Sequence, residues 1–209
     1  MGLREEKKRA TQQKIMQTAR QLYLSQGFEQ TSIEDVTAAA GISRMTFFNY
    51  FKSKERVLEA LALEWFMSHR ELFEGIEGFS AQELERAAVP PRLNQRLKIV
   101  AEHRSFLKLV VLHTRLFSGL DTGLMAEYSE IGELLKSHRE ARLGRVKEAQ
   151  RAGFIDAELD SAAICQLYDA LRNDVIGRWL VEDGGNAKSL KQNFQASLAI
   201  FLRGLRPDG

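Results

Sequence analysis

Gly41 is the residue that most limits what this chain can fold into. Before it, Ile33, Val36, Ala39 and Ala40 fall on one face of a helix, and two residues after it a second, differently patterned stretch begins. A glycine at this point can take positive φ at little cost, as a tight interhelical turn requires. Ile42 supplies an apolar plug beneath the turn, and Ser43 has the short side-chain oxygen that accepts from the first free amides of a new helix. The spacing therefore predicts helices over residues 33–40 and 44–51 that meet within three residues. The second has two unlike faces. Phe47 and Phe51, four apart, point inward with Ile42, whereas Arg44, Met45, Phe48 and Asn49 project the other way. That outward set has the chemistry of groove reading, since Arg pairs with a guanine edge, Asn with adenine, and an apolar side chain with the thymine methyl. The bare pattern also describes a packing corner in an all-helical protein.

Charge distinguishes the two ends of the chain. The net charge is only +2, yet residues 1–56 hold 10 Lys+Arg against 6 Asp+Glu, whereas residues 57–209 hold 20 against 22. The basic end carries the helix pair, which suits one phosphate-facing module on an otherwise neutral protein. Arg4, Lys7, Lys8 and Arg9 lead into a helix with Ile15, Ala19, Leu22 and Tyr23 on one face, closed at Gly27. Phe28 is expected to pack back onto the bundle, and Thr31 with Glu34 has capping-box spacing for the next helix. Ser53 is a suitable N-cap for a long helix that starts at Lys54, carries Val57, Leu58, Leu61, Trp65 and Phe66, and ends by Gly75 and Gly78.

The remaining residues read as helices throughout. Ser80 and Glu83 open a short one that must stop before Pro90 and Pro91. Leu93, Leu97 and Val100 mark the next, and Phe106, Leu109, Val110, His113 and Phe117 another, broken by Gly119 and Gly123. A long helix over residues 124–152 closes at Gly153, Asp160 caps residues 161–182, and residues 187–205 follow a Gly184-Gly185-Asn186 link as the second arm of an antiparallel hairpin. No strand-period segment or internal repeat occurs. The expected fold is all-α with about nine helices, divided into residues 1–53 and a larger domain over residues 54–209.

Several function classes are disfavoured. No apolar run approaches a membrane span, and the opening MGLREEKKR has no apolar h-region, so no membrane partner is expected and the cytoplasm is the expected compartment. A single cysteine, Cys165, excludes an internal disulfide; within the pattern Ile164, Leu167, Tyr168 it reads as buried, with redox sensing as the other option. His69, His103, His113 and His138 lack metal-ligand spacing, and neither a phosphate loop nor a serine nucleophile elbow appears. Asp121-Thr122-Gly123 spells an aspartic-protease triplet, but that chemistry needs paired carboxylates on loops of a β fold. No catalytic residue, metal or cofactor is expected, and the chain does not read as an enzyme.

From Ala19 to Leu61 the residues resemble the tetracycline-repressor (TetR) family of bacterial transcription regulators. Gly27-Phe28, Thr31-Ser32, Ala40-Gly41-Ile42-Ser43, Thr46-Phe47 and Tyr50-Phe51-Lys52-Ser53-Lys54-Glu55 follow the family's N-terminal pattern almost position by position. Thr37, Met45 and Phe48 depart from it, where Ala, Gly and Tyr are common, so an operator sequence does not transfer. The resemblance implies that Arg44, Met45, Thr46, Phe48 and Asn49 face bases of double-stranded DNA and that Ser32, Tyr50 and Lys54 hold phosphates. It implies a homodimer joined by the last two helices, whose candidate interface residues are Leu167, Leu171, Val175, Phe194, Leu198 and Phe201. A two-fold dimer sets its recognition helices roughly 34–36 Å apart, or a multiple, on a palindromic operator. In similar proteins a small molecule enters the larger domain and shifts the helix that begins here at Lys54, releasing DNA. Candidate lining residues are Trp65, His69, Leu109 and His113, with Phe117, Tyr128, Tyr168 and Arg172. An activator or a ligand-independent regulator of the same fold remains open. So does a helical small-molecule-binding protein whose basic N-terminus merely solvates, which predicts no DNA affinity.

Overall fold

In a computed structural model of the chain, residues 2–70, 91–114 and 129–207 are described, and nine helices account for most of them. They are α1 (Leu3–Ser25), α2 (Ile33–Ala40), α3 (Arg44–Phe48), α4 (Lys54–Ser68), α5 (Pro91–Glu102), α6 (Arg104–His113), α7 (Ser129–Arg151), α8 (Ser161–Val181) and α9 (Ala187–Arg203). No strand occurs among the described residues. The expected helix starting after Ser80, the breaks at Gly75, Gly78, Gly119 and Gly123, and the first residues of the 124–152 helix lie outside them. Two compact units are present, one of residues Met1–Ser68 with Ser105–Leu120, the other of His69–Arg104 with Asp121–Gly209.

In the first unit α1 packs on α2 and α4, because each helix offers one apolar face. Ile15, Ala19 and Tyr23 of α1, Val36 and Ala40 of α2, Phe47 of α3 and Val57, Leu58 and Leu61 of α4 are all buried. Each large side chain so removed from water contributes roughly 1.5–3 kcal/mol. Tyr23 is the pivot: its ring meets Phe28 edge-on at 5.0 Å and its hydroxyl donates to the Lys54 carbonyl at 3.1 Å. Burial, reinforced by the Glu55 carboxylate, pushes the Tyr23 hydroxyl well above the usual phenol range, so it stays a donor. From the 105–120 segment, Phe106 packs under the Arg20 guanidinium, 5.2 Å away, and His113 stacks on Phe28 at 4.3 Å.

In the second unit α8 packs against both α7 and α9, and α5 lies on α9. Asp160 caps α8 by accepting from the Ala163 amide at 2.7 Å. Trp179, near the end of α8, is buried, and its indole N–H reaches the Asn186 carbonyl at 3.1 Å. Arg104 lies over the same indole and donates to the carbonyls of Trp179 and Glu182, satisfying the C-terminal end of α8. Gly185 is required there for space: a Cβ would fall 2.8 Å from the Trp179 indole nitrogen. Asn186 then opens α9 with a capping box to Ser189.

Three expectations shift by a few residues. The N-cap of α2 is Ser32 rather than Thr31, because Thr31 is buried and its hydroxyl donates to the Gly27 carbonyl at 2.7 Å. Helix α3 ends at Phe48 rather than residue 51, since the Tyr50 amide turns to the Phe47 carbonyl and tightens the last turn. Helix α5 starts on Pro91 itself, a first helical position where the missing amide costs nothing.

Candidate nucleic-acid interface

The turn between α2 and α3 is built as its residues dictate. Gly41 has φ +60° and ψ +41°, and the Ile42 amide reaches back to the Thr37 carbonyl at 3.0 Å while the Gly41 amide reaches Ala38 at 3.1 Å. These two bonds form a Schellman closure, which needs the left-handed residue. Ser43 then accepts from the Thr46 amide at 3.0 Å and starts α3. At the other end of α2, the Asp35 carboxylate accepts from the Ser32 amide at 2.8 Å and hydroxyl at 2.6 Å, and the Asp35 amide donates back to Ser32. The Ser32 hydroxyl, then its amide, hold the Asp35 carboxyl below the usual carboxylate range.

With Phe47 and Phe51 buried, α3 turns Arg44, Met45 and Phe48 to solvent. Met45 is 77% exposed and Phe48 43% exposed, unusual for side chains of this size. Arg44 is exposed, paired with Glu34 of α2 at 2.6 Å, and its guanidinium lies 5.6 Å from the Phe48 ring centre. Asn49 is exposed as the residue closing α3, whereas Thr46 is half-buried and shares a 2.8 Å hydrogen bond with Ser43. The groove-facing candidates Arg44, Met45, Phe48 and Asn49 thus share the solvent side of one short helix, with Thr46 partly tucked behind them. Glu34, which the spacing offered as a capping-box residue, instead holds the guanidinium.

Of the three phosphate candidates, Tyr50 is half-exposed and Ser32 is exposed with its hydroxyl engaged by Asp35. Lys54 has a different environment. Its ammonium donates to the carbonyls of Phe28 at 2.9 Å, Thr31 at 3.3 Å and Glu29 at 3.4 Å, and sits 4.5 Å from the Phe28 ring centre. An ammonium has three N–H donors, and here three backbone carbonyls face them. Lys54 therefore ties the start of α4 to the α1–α2 connection.

The effector candidates divide between the units. Trp65, Leu109 and His113 belong to the first, where Trp65 is buried and Leu109 half-buried. His113 lies 3.2 Å from the Glu29 carboxylate. His69, Tyr168 and Arg172 belong to the second; the His69 ring meets His103 at 5.1 Å, Tyr168 is buried, and Arg172 pairs with Asp169. Phe117 and Tyr128 lie outside the described residues. Cys165 is buried, and burial pushes its thiol up, away from the reactive thiolate.

The interface candidates also differ in placement. Val175, Phe194 and Leu198 are buried within the chain itself, and Leu171 and Phe201 are half-buried. Leu167 is 60% exposed, and on α9 the outward apolar residue is Ile200, at 76%. The wide stripes of α8 and α9 thus contain both inward and outward members.

Comparison with known proteins places this geometry. The family model for "Bacterial regulatory proteins, tetR family" matches residues 15–61, the segment from mid-α1 into α4. The HTH-type transcriptional regulator TcmR of Streptomyces glaucescens is 28% identical over 215 aligned positions, covering 99% of this chain and 88% of that one. Among solved structures, the fatty acid degradation regulator FadR from Bacillus halodurans aligns with a TM-score of 0.60 at 23% identity, over 94% of this chain and 96% of that chain. Thermus thermophilus FadR, described as a transcriptional repressor in complex with lauroyl-CoA, aligns with a TM-score of 0.57 at 18% identity, over 93% and 94%. These structural likenesses carry the fold.

Proposed function

We propose that the chain, whose residues 15–61 match the tetR-family model and which is similar over 99% of its length to the transcriptional regulator TcmR, works as a homodimeric repressor of the TetR kind, released from a palindromic operator by an apolar or amphipathic small molecule. The observation that carries DNA recognition is the presentation of Arg44, Met45, Phe48 and Asn49 on the solvent side of a helix held rigidly by Gly41, Ser43 and Phe47. Arg44 and Asn49 supply hydrogen bonds to base edges, and Met45 and Phe48 supply apolar contact to thymine methyls. Tyr50 holds a phosphate, and Ser32 another through its hydroxyl. Lys54 acts by positioning, fixing where α4 begins.

Dimerisation is assigned to the outward residues of α8 and α9, above all Leu167 and Ile200, whose exposed apolar side chains a second copy would cover. An amphipathic effector is supported by the lauroyl-CoA held by the Thermus thermophilus relative. Its differential affinity for the DNA-free form sets the coupling, about 1–3 kcal/mol in systems of this kind.

The test is a mobility shift with the DNA upstream of the protein's own coding sequence, over a salt series. Wild type is expected to form a specific complex that survives competitor DNA, Arg44→Ala to lose about 1–3 kcal/mol of specific binding, and Tyr50→Phe to weaken all sequences alike. Absence of any specific complex for wild type would overturn the regulator reading for this chain and favour a helical binding protein.

A further inference from the structure

Resting on the reading of the larger unit as an effector domain, we propose that Arg142 and Arg172 form the anion-recognising end of its binding site. The effector is then an organic monoanion, one carboxylate on an apolar body. Arg142 of α7 and Arg172 of α8 converge on the same oxygen of one carboxylate, Asp169, Arg172 at 3.1 Å. The side chains of Arg142, Arg172 and Asp169 keep 11%, 21% and 29% of their surface in solvent, so an excess of one positive charge is largely withdrawn from water. A staple between α7 and α8 needs only one arginine. The second adds repulsion and desolvation cost, which another anion would offset.

The donor geometry agrees with the charge. Each guanidinium carries five N–H donors in a fixed fork, yet both arginines share one Asp169 oxygen. The other acceptor they meet among the described residues is the Asn173 side chain, a distant 3.3–3.4 Å from Arg172. Arg142 lies over the Tyr168 ring, 5.2 Å from its centre, and that ring packs against Phe201 at 6.1 Å. The fork of a guanidinium suits bidentate pairing with a carboxylate. One uncompensated charge selects a monoanion over a phosphate ester of charge near −2, and the Tyr168–Phe201 surroundings select an apolar body.

The probes are decanoate and 1-decanol, equal in chain and different in charge, titrated into the full chain by calorimetry at neutral pH. Decanoate is expected to bind at least tenfold more tightly than decanol. Arg172→Gln should erase that preference, Arg172→Lys should leave part of it, and Asp169→Asn, which removes the internal competitor, should tighten decanoate severalfold. Circular dichroism establishes that each variant is folded; if Arg172→Gln is not, the Lys and Asn variants decide. Equal affinity for the two probes, binding of neither, or an undiminished preference in the folded Arg172 variants overturns the anion site. A mobility shift with both probes separates this from the effector reading. Release of DNA by decanol without preference for decanoate removes only the anion site, whereas Arg172-dependent decanoate binding that leaves DNA affinity unchanged supports the site and removes the release mechanism.

Discussion

Lys54 offers the sharpest division between a residue that touches DNA and one that shapes the part that does. Lys54→Met keeps the aliphatic stem and removes the ammonium. The ammonium makes one short charge-assisted bond, to the Phe28 carbonyl at 2.9 Å, and two long ones to Thr31 and Glu29 at 3.3 and 3.4 Å. A bond of the first kind contributes about 1.5–3 kcal/mol, at the low end here because the residue is only half-buried. The contact with the Phe28 ring adds about 0.5–1 kcal/mol, and the long bonds add little. A loss near 2 kcal/mol is expected, read as a lower urea midpoint at unchanged m-value. The same variant is then compared with wild type for DNA affinity across salt. A lost phosphate contact would reduce the slope of log K against log salt by about 0.9 per subunit, whereas a positioning role leaves the slope where it was and lowers affinity at every salt. Unchanged stability together with a slope reduced by that amount would refute the positioning argument and return Lys54 to the phosphate contacts.

Gly185→Ala places a methyl 2.8 Å from the Trp179 indole nitrogen and 3.2 Å from Arg104; because Trp179 is fixed by its own hydrogen bonds, urea unfolding should show a loss of about 1–3 kcal/mol. Asp35 has a folded-state pKa below its ordinary value near 3.8, so its stabilising effect is full above that value and vanishes as pH falls through the lower folded value. The stability gap between wild type and Asp35→Asn should therefore be constant at neutral pH and close in acid, as followed by urea midpoints at successive pH. Leu167→Glu with Ile200→Glu puts charge on the outward faces of α8 and α9 and should yield a folded monomer in sedimentation, with helix content unchanged by circular dichroism.

What the sequence could announce was whatever is settled within a few residues. The limits of α2, the left-handed Gly41, the Ser43 cap and the inward Phe47 and Phe51 all follow from local spacing, and all stand in the structure. The cap of α2 was harder because two overlapping patterns fit, Thr31 with Glu34 and Ser32 with Asp35. The choice is made by the Gly27 carbonyl, which captures the Thr31 hydroxyl, and by the burial of Thr31. The carbonyl partners of Lys54 were hidden for a related reason. Its partners lie 23 to 26 positions earlier in the chain, and no periodicity relates an ammonium at the start of one helix to carbonyls in a loop two helices before. On α8 and α9 the apolar stripes were visible, but a stripe wide enough to serve two surfaces does not say which residues serve which. Packing alone separates the inward Val175, Phe194 and Leu198 from the outward Leu167 and Ile200. Asp169 and Arg172 were one helical turn apart on the page, and it took the approach of α7 to bring Arg142 to them.

The contacts around α3 bear on how a regulator of this kind would discriminate. Arg44 is not a free side chain: Glu34 holds its guanidinium from one side and the Phe48 ring from another, while Phe48 is braced edge-on by the buried Phe47 at 5.6 Å. Ordering before contact reduces the rotamer entropy lost on binding, which favours affinity for any sequence that offers the fork an acceptor. Glu34 acts in the opposite direction. On the proposed reading its carboxylate would approach a phosphate-lined surface together with the arginine, so displacing it, or keeping it beside DNA, would cost free energy that a nonspecific phosphate contact recovers poorly. A guanine edge meets two donors of the guanidinium at once and recovers more. The exposed pair contributes little to the stability of the free protein; on the proposed reading it would act mainly on the difference between right and wrong DNA, with Met45 and Phe48 setting how deeply Arg44 would enter the groove.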